Sequence, residues 1–131
     1  MSASIVGAWR VTVTIAGGPP FLNLSTFTSD GTVMTVFPSP SPAPEGAPYK
    51  QEFHTPAMGS WVDAGAGKIS LIFESLAVDE AANPIGSHVI RATVEVTETG
   101  WSGPFTLDIL DPTGKTIGSV TGVATGARIT V

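Results

Sequence analysis

Few side chains in this sequence can do acid–base chemistry, and the most suggestive stand close together. His54 lies in the segment KQEFHT of residues 50–55, two residues after Glu52, so that in an extended chain both point to the same side. A histidine beside a carboxylate at a pocket mouth can relay a proton when partial burial places the pKa values near neutrality. The competing reading is a solvated strand end, and it is the one we favour. Tyr49, at the start of the same segment, is a further polar group able to reach an enclosed site. His88 opens an inward-facing row but adjoins the turn at residues 84–87, which favours a capping or surface role. Glu74 interrupts the apolar run Ile69-Ser70-Leu71-Ile72-Phe73. Facing a lumen it would be a buried acid or base with a raised pKa, whereas the alternative we prefer is a strand end in solvent. If the chain is an enzyme, its catalytic groups come from His54, Glu52, Tyr49, His88 and Glu74.

Other chemistries find less support. No Ser, His and Asp constellation stands out, and two histidines without any cysteine argue against a metal site. The glycines of residues 63–68, DAGAGK, read as a hairpin turn and not as a phosphate-binding loop, since no helix follows. No cofactor is expected. The net charge is −5, and the six Lys and Arg are scattered, so neither nucleic acid nor an anionic membrane is an expected partner. Absence of cysteine excludes a disulfide framework, and the opening MSASIVGAW lacks the basic and apolar regions of a signal peptide. No apolar run approaches the roughly 20 residues of a spanning helix. A cytoplasmic protein is expected.

The elements that must position these groups are strands. From Trp9 the chain alternates strictly, with Trp9, Val11, Val13 and Ile15 on one face and Arg10, Thr12 and Thr14 on the other. Fifteen glycines and eleven prolines cut the rest into short β-type runs, and helical periodicity never persists. Eight strands are expected, at residues 5–15, 21–28, 32–38, 50–62, 68–76, 87–97, 101–110 and 115–130. The links are mostly hairpins, which makes sequence neighbours antiparallel neighbours. At 131 residues the chain forms one domain, and 42% apolar with 13% charged residues fits a fold with many inward positions.

Turn chemistry fixes register. Thr28-Ser29-Asp30-Gly31-Thr32 reads as a three-residue hairpin closed by a left-handed glycine, setting Leu24 opposite Val36 and Thr26 opposite Met34. That face is expected to point inward, leaving Asn23, Ser25 and Thr35 outside. Asp111-Pro112-Thr113-Gly114-Lys115 repeats the device and pairs Ile109 with Ile117. The loop near Glu98-Thr99-Gly100 must have two or four residues, placing Val94 opposite Phe105 and Ala92 opposite Leu107. His88, Ile90, Ala92, Val94 and Val96 then face inward, as do Gly103, Phe105, Leu107 and Ile109, while Glu95 and Asp108 face out. Residues 38–49, PSPSPAPEGAPY, are expected to be extended, without regular structure, as a flap over a barrel mouth or a passive connection.

Gly7-Ala8-Trp9 in the first strand and Gly126-Ala127-Arg128 in the last resemble the kernel of the lipocalin and calycin families. In those families a glycine-x-tryptophan opens strand one, and an arginine near the C-terminus covers the indole. The resemblance implies those roles for Trp9 and Arg128, an all-β, eight-stranded antiparallel up-and-down barrel, and a cation-to-ring contact worth about 0.5–2 kcal/mol. The short chain, the tight connection at residues 16–20 and the lack of a C-terminal helix make it more similar to small bacterial calycin-like barrels. That group includes binders of apolar ligands as well as cyclases and isomerases.

The expected function is binding of a small hydrophobic molecule in the lumen. An isomerase or cyclase acting on an apolar substrate is the alternative, and an interaction module with a filled core a second one. Tyr49, Phe53, Trp61, Phe73, His88, Ile90, Trp101, Phe105 and Leu107 are the expected lining. Small residues at Ala92, Gly103, Gly122 and Ala124 either open a cavity or fit the barrel taper. Strand 68–76 carries Ile69, Leu71 and Phe73 on one face and Ile72 on the other, so its outer face needs a cover from the flap or from a second copy in a homodimer.

Overall fold

The computed structural model describes residues 4–131 and contains strands and no helix among them. In chain order these are β1 (Gly7–Ile15), β2 (Phe21–Phe27), β3 (Thr32–Val36), β4 (Ser41–Pro42), β5 (Gln51–His54), β6 (Ala57–Gly65), β7 (Lys68–Asp79), β8 (Pro84–Val96), β9 (Gly100–Leu110) and β10 (Thr116–Arg128). All pairings are antiparallel. The circuit β1-β2-β3-β6-β7-β8-β9-β10 closes on itself through β10–β1 and β7–β8, giving an eight-stranded up-and-down barrel.

One expected strand is broken and one unexpected short strand forms, and both shape the mouth. The strand expected at residues 50–62 divides at Thr55-Pro56 into β5 and β6, because proline supplies no N–H to the ladder. Thr55 bridges the gap: its N–H donates to the Leu76 carbonyl, and its Oγ1 accepts from the Leu76 N–H at 2.9 Å. The long β7 therefore carries β6 along its first half and β5 along its second, with β8 on its other side. Residues 38–49 are not wholly irregular, as had been expected. Ser41 and Pro42 form β4, paired with Glu52 and Gln51 of β5, so this segment is partly a piece of wall.

The base is closed by aromatic packing. Trp9 is fully buried and donates its indole N–H to the Ile5 carbonyl at 2.7 Å. The Arg128 guanidinium lies 4.2 Å from the Trp9 ring centroid and donates to the carbonyls of Val6 and Ser4. Gly7 makes this possible: its φ is +131°, and a Cβ there would stand 2.7 Å from Arg128 Nη1. Trp101 meets Trp9 and Phe27 edge to face, with centroids 6.4 and 6.3 Å apart. Its ring lies against Gly126, where any Cβ would overlap it, and Phe105 lies likewise on Gly122.

Register follows the turns, with three corrections. Leu24 does oppose Val36, and Thr26 does oppose Met34, across a turn in which Gly31 has φ +93°. The inward face is nonetheless the other one: Asn23, Ser25 and Thr35 are buried, while Leu24 and Val36 are exposed. The reason is that Phe27 and Val33, both buried, share the face of Ser25 and Thr35. In addition, Trp9 and Val11 of β1 stand directly opposite Ser25 and Asn23. The connection after β8 is even, but the four residues between the paired Val96 and Trp101 set Ala92 opposite Phe105 and Ile90 opposite Leu107, two positions from the expected register. At Asp111–Lys115 the left-handed Gly114 is present, yet a bulge skips Ile117, so Ile109 pairs with Gly118. Glu95 and Asp108 do point outward, Asp108 being held 3.1 Å from Arg91.

Candidate functional site

Inside the barrel is a cavity of about 450 Å³, of the size that holds a small organic molecule. Its walls are overwhelmingly apolar. Val11, Val13 and Ile15 come from β1, Phe21 and Phe27 from β2, Leu71 and Phe73 from β7, Ile90 and Ala92 from β8, and Trp101, Phe105 and Leu107 from β9. Phe37, Pro38, Pro40 and Pro42 close over it from the proline-rich segment. Ala92 and Ala124 line the cavity, whereas a Cβ on Gly103 or Gly122 would strike neighbouring backbone or ring. The small residues thus divide between the two roles considered for them.

One stripe of this apolar wall is polar. Ser25 Oγ and Thr35 Oγ1 lie 2.8 Å apart and satisfy one another. Asn23, beside them on β2, is only 8% exposed, lines the cavity and leaves its Oδ1 without a partner. Trp101 Nε1, on the same lining, is also unpartnered. A buried amide oxygen without a hydrogen bond is destabilising by about 1–3 kcal/mol, so a ligand N–H or O–H reaching it gains correspondingly.

At the mouth, four of the five candidate catalytic residues converge. Glu52 is buried on β5, with His54 Nε2 3.4 Å and His88 Nε2 4.0 Å from its Oε1. The Tyr49 hydroxyl donates to Glu52 Oε2 at 3.1 Å, and Ser41 Oγ lies 3.4 Å from His54 Nε2. The two imidazoles have centroids 4.8 Å apart, and both line the cavity. They meet because β5 and β8 flank β7 on opposite sides, where the inward residues Ser75 and Ala77 are small enough to let the rings pass over them. Glu52 and His54 are therefore not a solvated strand end, and His88 is not a surface cap.

Electrostatics follow burial. His88 is held below the ordinary imidazole value mainly by burial, then by the neighbouring His54, with Glu52 opposing. The Tyr49 phenol is pushed above its ordinary value by burial, then by its bond to Glu52 and the nearby carboxylates.

The remaining candidates separate cleanly. Glu74 is exposed on the outer face of β7, as preferred from sequence, and takes no part in the cluster. Phe73, His88, Ile90, Trp101, Phe105 and Leu107 line the cavity as expected, but Tyr49, Phe53 and Trp61 do not. Phe53 stands between inward Glu52 and His54, so strand alternation turns it outward, where it is 37% exposed. Tyr49 reaches Glu52 instead of the lumen, and Trp61 donates its indole N–H to the Thr28 carbonyl near the base. The polar stripe at Asn23, Ser25 and Thr35 escaped the sequence reading, although Phe21, Phe27, Val33 and Phe37 at matching parity carried the signal.

Compared with protein-family models, curated proteins and solved structures, the chain matches none. No helix among the described residues is long and apolar enough to cross a membrane.

Proposed function

We propose that this protein binds a small hydrophobic molecule carrying one hydrogen-bonding group in the lumen of a calycin-like barrel in the cytoplasm. The observation that carries the reading is the 450 Å³ apolar cavity with the unpartnered Asn23 Oδ1 on its wall. The packing of Gly7, Trp9 and Arg128 supports the calycin-like part. An environment-sensitive apolar dye should bind the native chain saturably and be displaced by long-chain or polycyclic compounds. Ala124→Trp, which fills the lumen, should abolish that binding while the barrel still unfolds cooperatively. Dye uptake that is non-saturable, or unchanged by Ala124→Trp, would refute the reading.

A second reading, an isomerase or cyclase, is favoured by the Tyr49–Glu52–His54 chain with His88 at the edge of the cavity. Such an enzyme needs shape to fold an apolar substrate and one group to move a proton. Its signature is loss of turnover in Glu52→Gln or His54→Gln with little change in ligand affinity.

The outer face of the barrel bears exposed Leu24, Val36, Met58, Ile72 and Leu76 on consecutive strands β2, β3, β6 and β7. The proline-rich segment lines the lumen and leaves Ile72 39% exposed, so the cover we infer is a second copy of the chain. Sedimentation at micromolar concentration should show a dimer, and Ile72→Lys with Met58→Lys should return it to a monomer.

A further inference from the structure

Glu52, His54 and His88 present three donor atoms of the types that bind transition metals, all within 4.8 Å of one another. The sequence alone argues against a metal, because it offers two histidines and no cysteine. Folding supplies the ligand spacing by placing β5 and β8 on either side of β7. In tetrahedral coordination with bonds near 2.1 Å, ligand atoms lie about 3.4 Å apart. Glu52 Oε1 stands 3.4 Å from His54 Nε2 and 4.0 Å from His88 Nε2, and with the widest spacing in the cluster at 4.8 Å, side-chain rotations that bring the two rings about 1.4 Å closer complete the site.

Three further features separate this cluster from an ordinary buried ion pair. The Tyr49 hydroxyl engages Glu52 Oε2, which fixes the carboxylate and leaves Oε1 turned toward both rings. Such a partner on the distal oxygen is how ligating carboxylates are oriented. Both imidazoles turn the same nitrogen, Nε2, to that one oxygen, whereas a single proton needs only one of them. No Lys or Arg approaches Glu52 among the described residues, so with neutral rings its buried charge stands uncompensated unless a cation joins it.

We propose that Glu52 Oε1, His54 Nε2 and His88 Nε2 form a three-ligand site for a divalent first-row transition ion, with its remaining positions open toward the apolar cavity. Two imidazoles and a carboxylate suit Zn²⁺, Fe²⁺ or Co²⁺ better than Mg²⁺ or Ca²⁺, which take oxygen ligands. The site stands apart from the proposal of a hydrophobic ligand and is testable with no organic molecule present.

The experiment uses the untagged full chain, stripped with chelator and dialysed, titrated with Zn²⁺ by calorimetry and with Co²⁺ by visible absorption. One equivalent should bind, and Co²⁺ should give the intense visible bands of a four- or five-coordinate N/O site. Glu52→Gln and His88→Ala should each weaken Zn²⁺ binding by about 100-fold or more, and Tyr49→Phe by about 10-fold, as loss of an orienting partner does. Zn²⁺ should raise the unfolding temperature of the wild type and not of Glu52→Gln. Circular dichroism checks that each variant folds, and the wild-type Co²⁺ spectrum decides the matter if one does not. No Zn²⁺ stoichiometry in the wild type, a six-coordinate aquo-like Co²⁺ spectrum, or unchanged affinity in both folded variants overturns the proposal.

Discussion

At one end of the barrel, Trp9, Trp101 and Phe27 interlock edge to face, and Arg128 covers the Trp9 indole while donating to the carbonyls of Val6 and Ser4. At the other, Glu52, His54 and His88 direct polar atoms at one another over a cavity, beneath a segment made of Pro38, Pro40 and Pro42. The base ties Trp9 and Arg128 to backbone carbonyls and fills its volume with rings. The mouth keeps polar atoms in reach of something that is not backbone. A closed end with rigid rings holds the barrel in shape, which leaves the open end free to keep unsatisfied chemistry without unfolding the molecule.

Substitution should show this asymmetry most strongly at Trp9. Trp9→Ala removes a fully buried indole and is expected to destabilise the protein by about 3–5 kcal/mol in denaturant unfolding, against less than about 1.5 kcal/mol for His54→Ala at the mouth. Equal losses would break the comparison. Arg128→Ala should cost less, about 1–2 kcal/mol, from the ring contact together with its bonds to two carbonyls. Gly7→Val should fall in the same range or above, since it obstructs Arg128 and strains a backbone at φ +131°.

A smaller change, of opposite sign, is expected in the lumen. Asn23→Leu removes a buried oxygen that has no partner, so stability should stay level or rise by up to about 1 kcal/mol. The same variant should lose affinity for hydrogen-bonding ligands and keep it for pure hydrocarbons, as read by dye displacement. A loss of stability would show that Asn23 holds the wall together.

The smallest effect belongs to the turns. Asp30 is held below its ordinary value of 3.8 mainly by the Thr28 hydroxyl, Asp79 mainly by the Asn83 N–H, and Asp111 mainly by the Thr113 hydroxyl. Each is a group whose folded pKa is depressed, so its contribution is complete above about pH 4 and disappears as pH falls through the folded value. Thermal unfolding should therefore show a modest loss below pH 4, and Asp30→Asn with Asp111→Asn should flatten it. Because Asp30 is exposed and Asp79 and Asp111 are only half-buried, the slope stays shallow at either end of the barrel.

Much of the barrel was legible because its signals are local. Strict alternation from Trp9, and turns with glycine where φ is positive, fixed the strand count and the hairpin at Gly31. Parity on β2 was misread because Leu24 and Val36 outweighed Asn23, Ser25 and Thr35 when the flanking Phe21, Phe27 and Val33 were left out of the count. The mouth was legible only as separate residues. Glu52 and His54 share a strand face, which sequence shows, but their meeting with His88 depends on two strands flanking a third. The break at Pro56, across which the inward positions pass from even numbers on β5 to odd numbers on β6, becomes readable only once Thr55 is seen taking over the ladder bond to Leu76.

That break also divides the wall mechanically. β4 and β5 join the barrel through two and three residue pairings, against the long ladders of β7 with β8 and β9 with β10. A section attached so lightly has few ladder bonds to break, so local opening of the wall is expected to begin there, next to Thr55 and Pro56. Glu52 and His54 belong to this lightly paired section, while His88 belongs to the long β8. Whatever bridges them works as a latch, and the residence time of a molecule inside is then set by how firmly that latch is fastened.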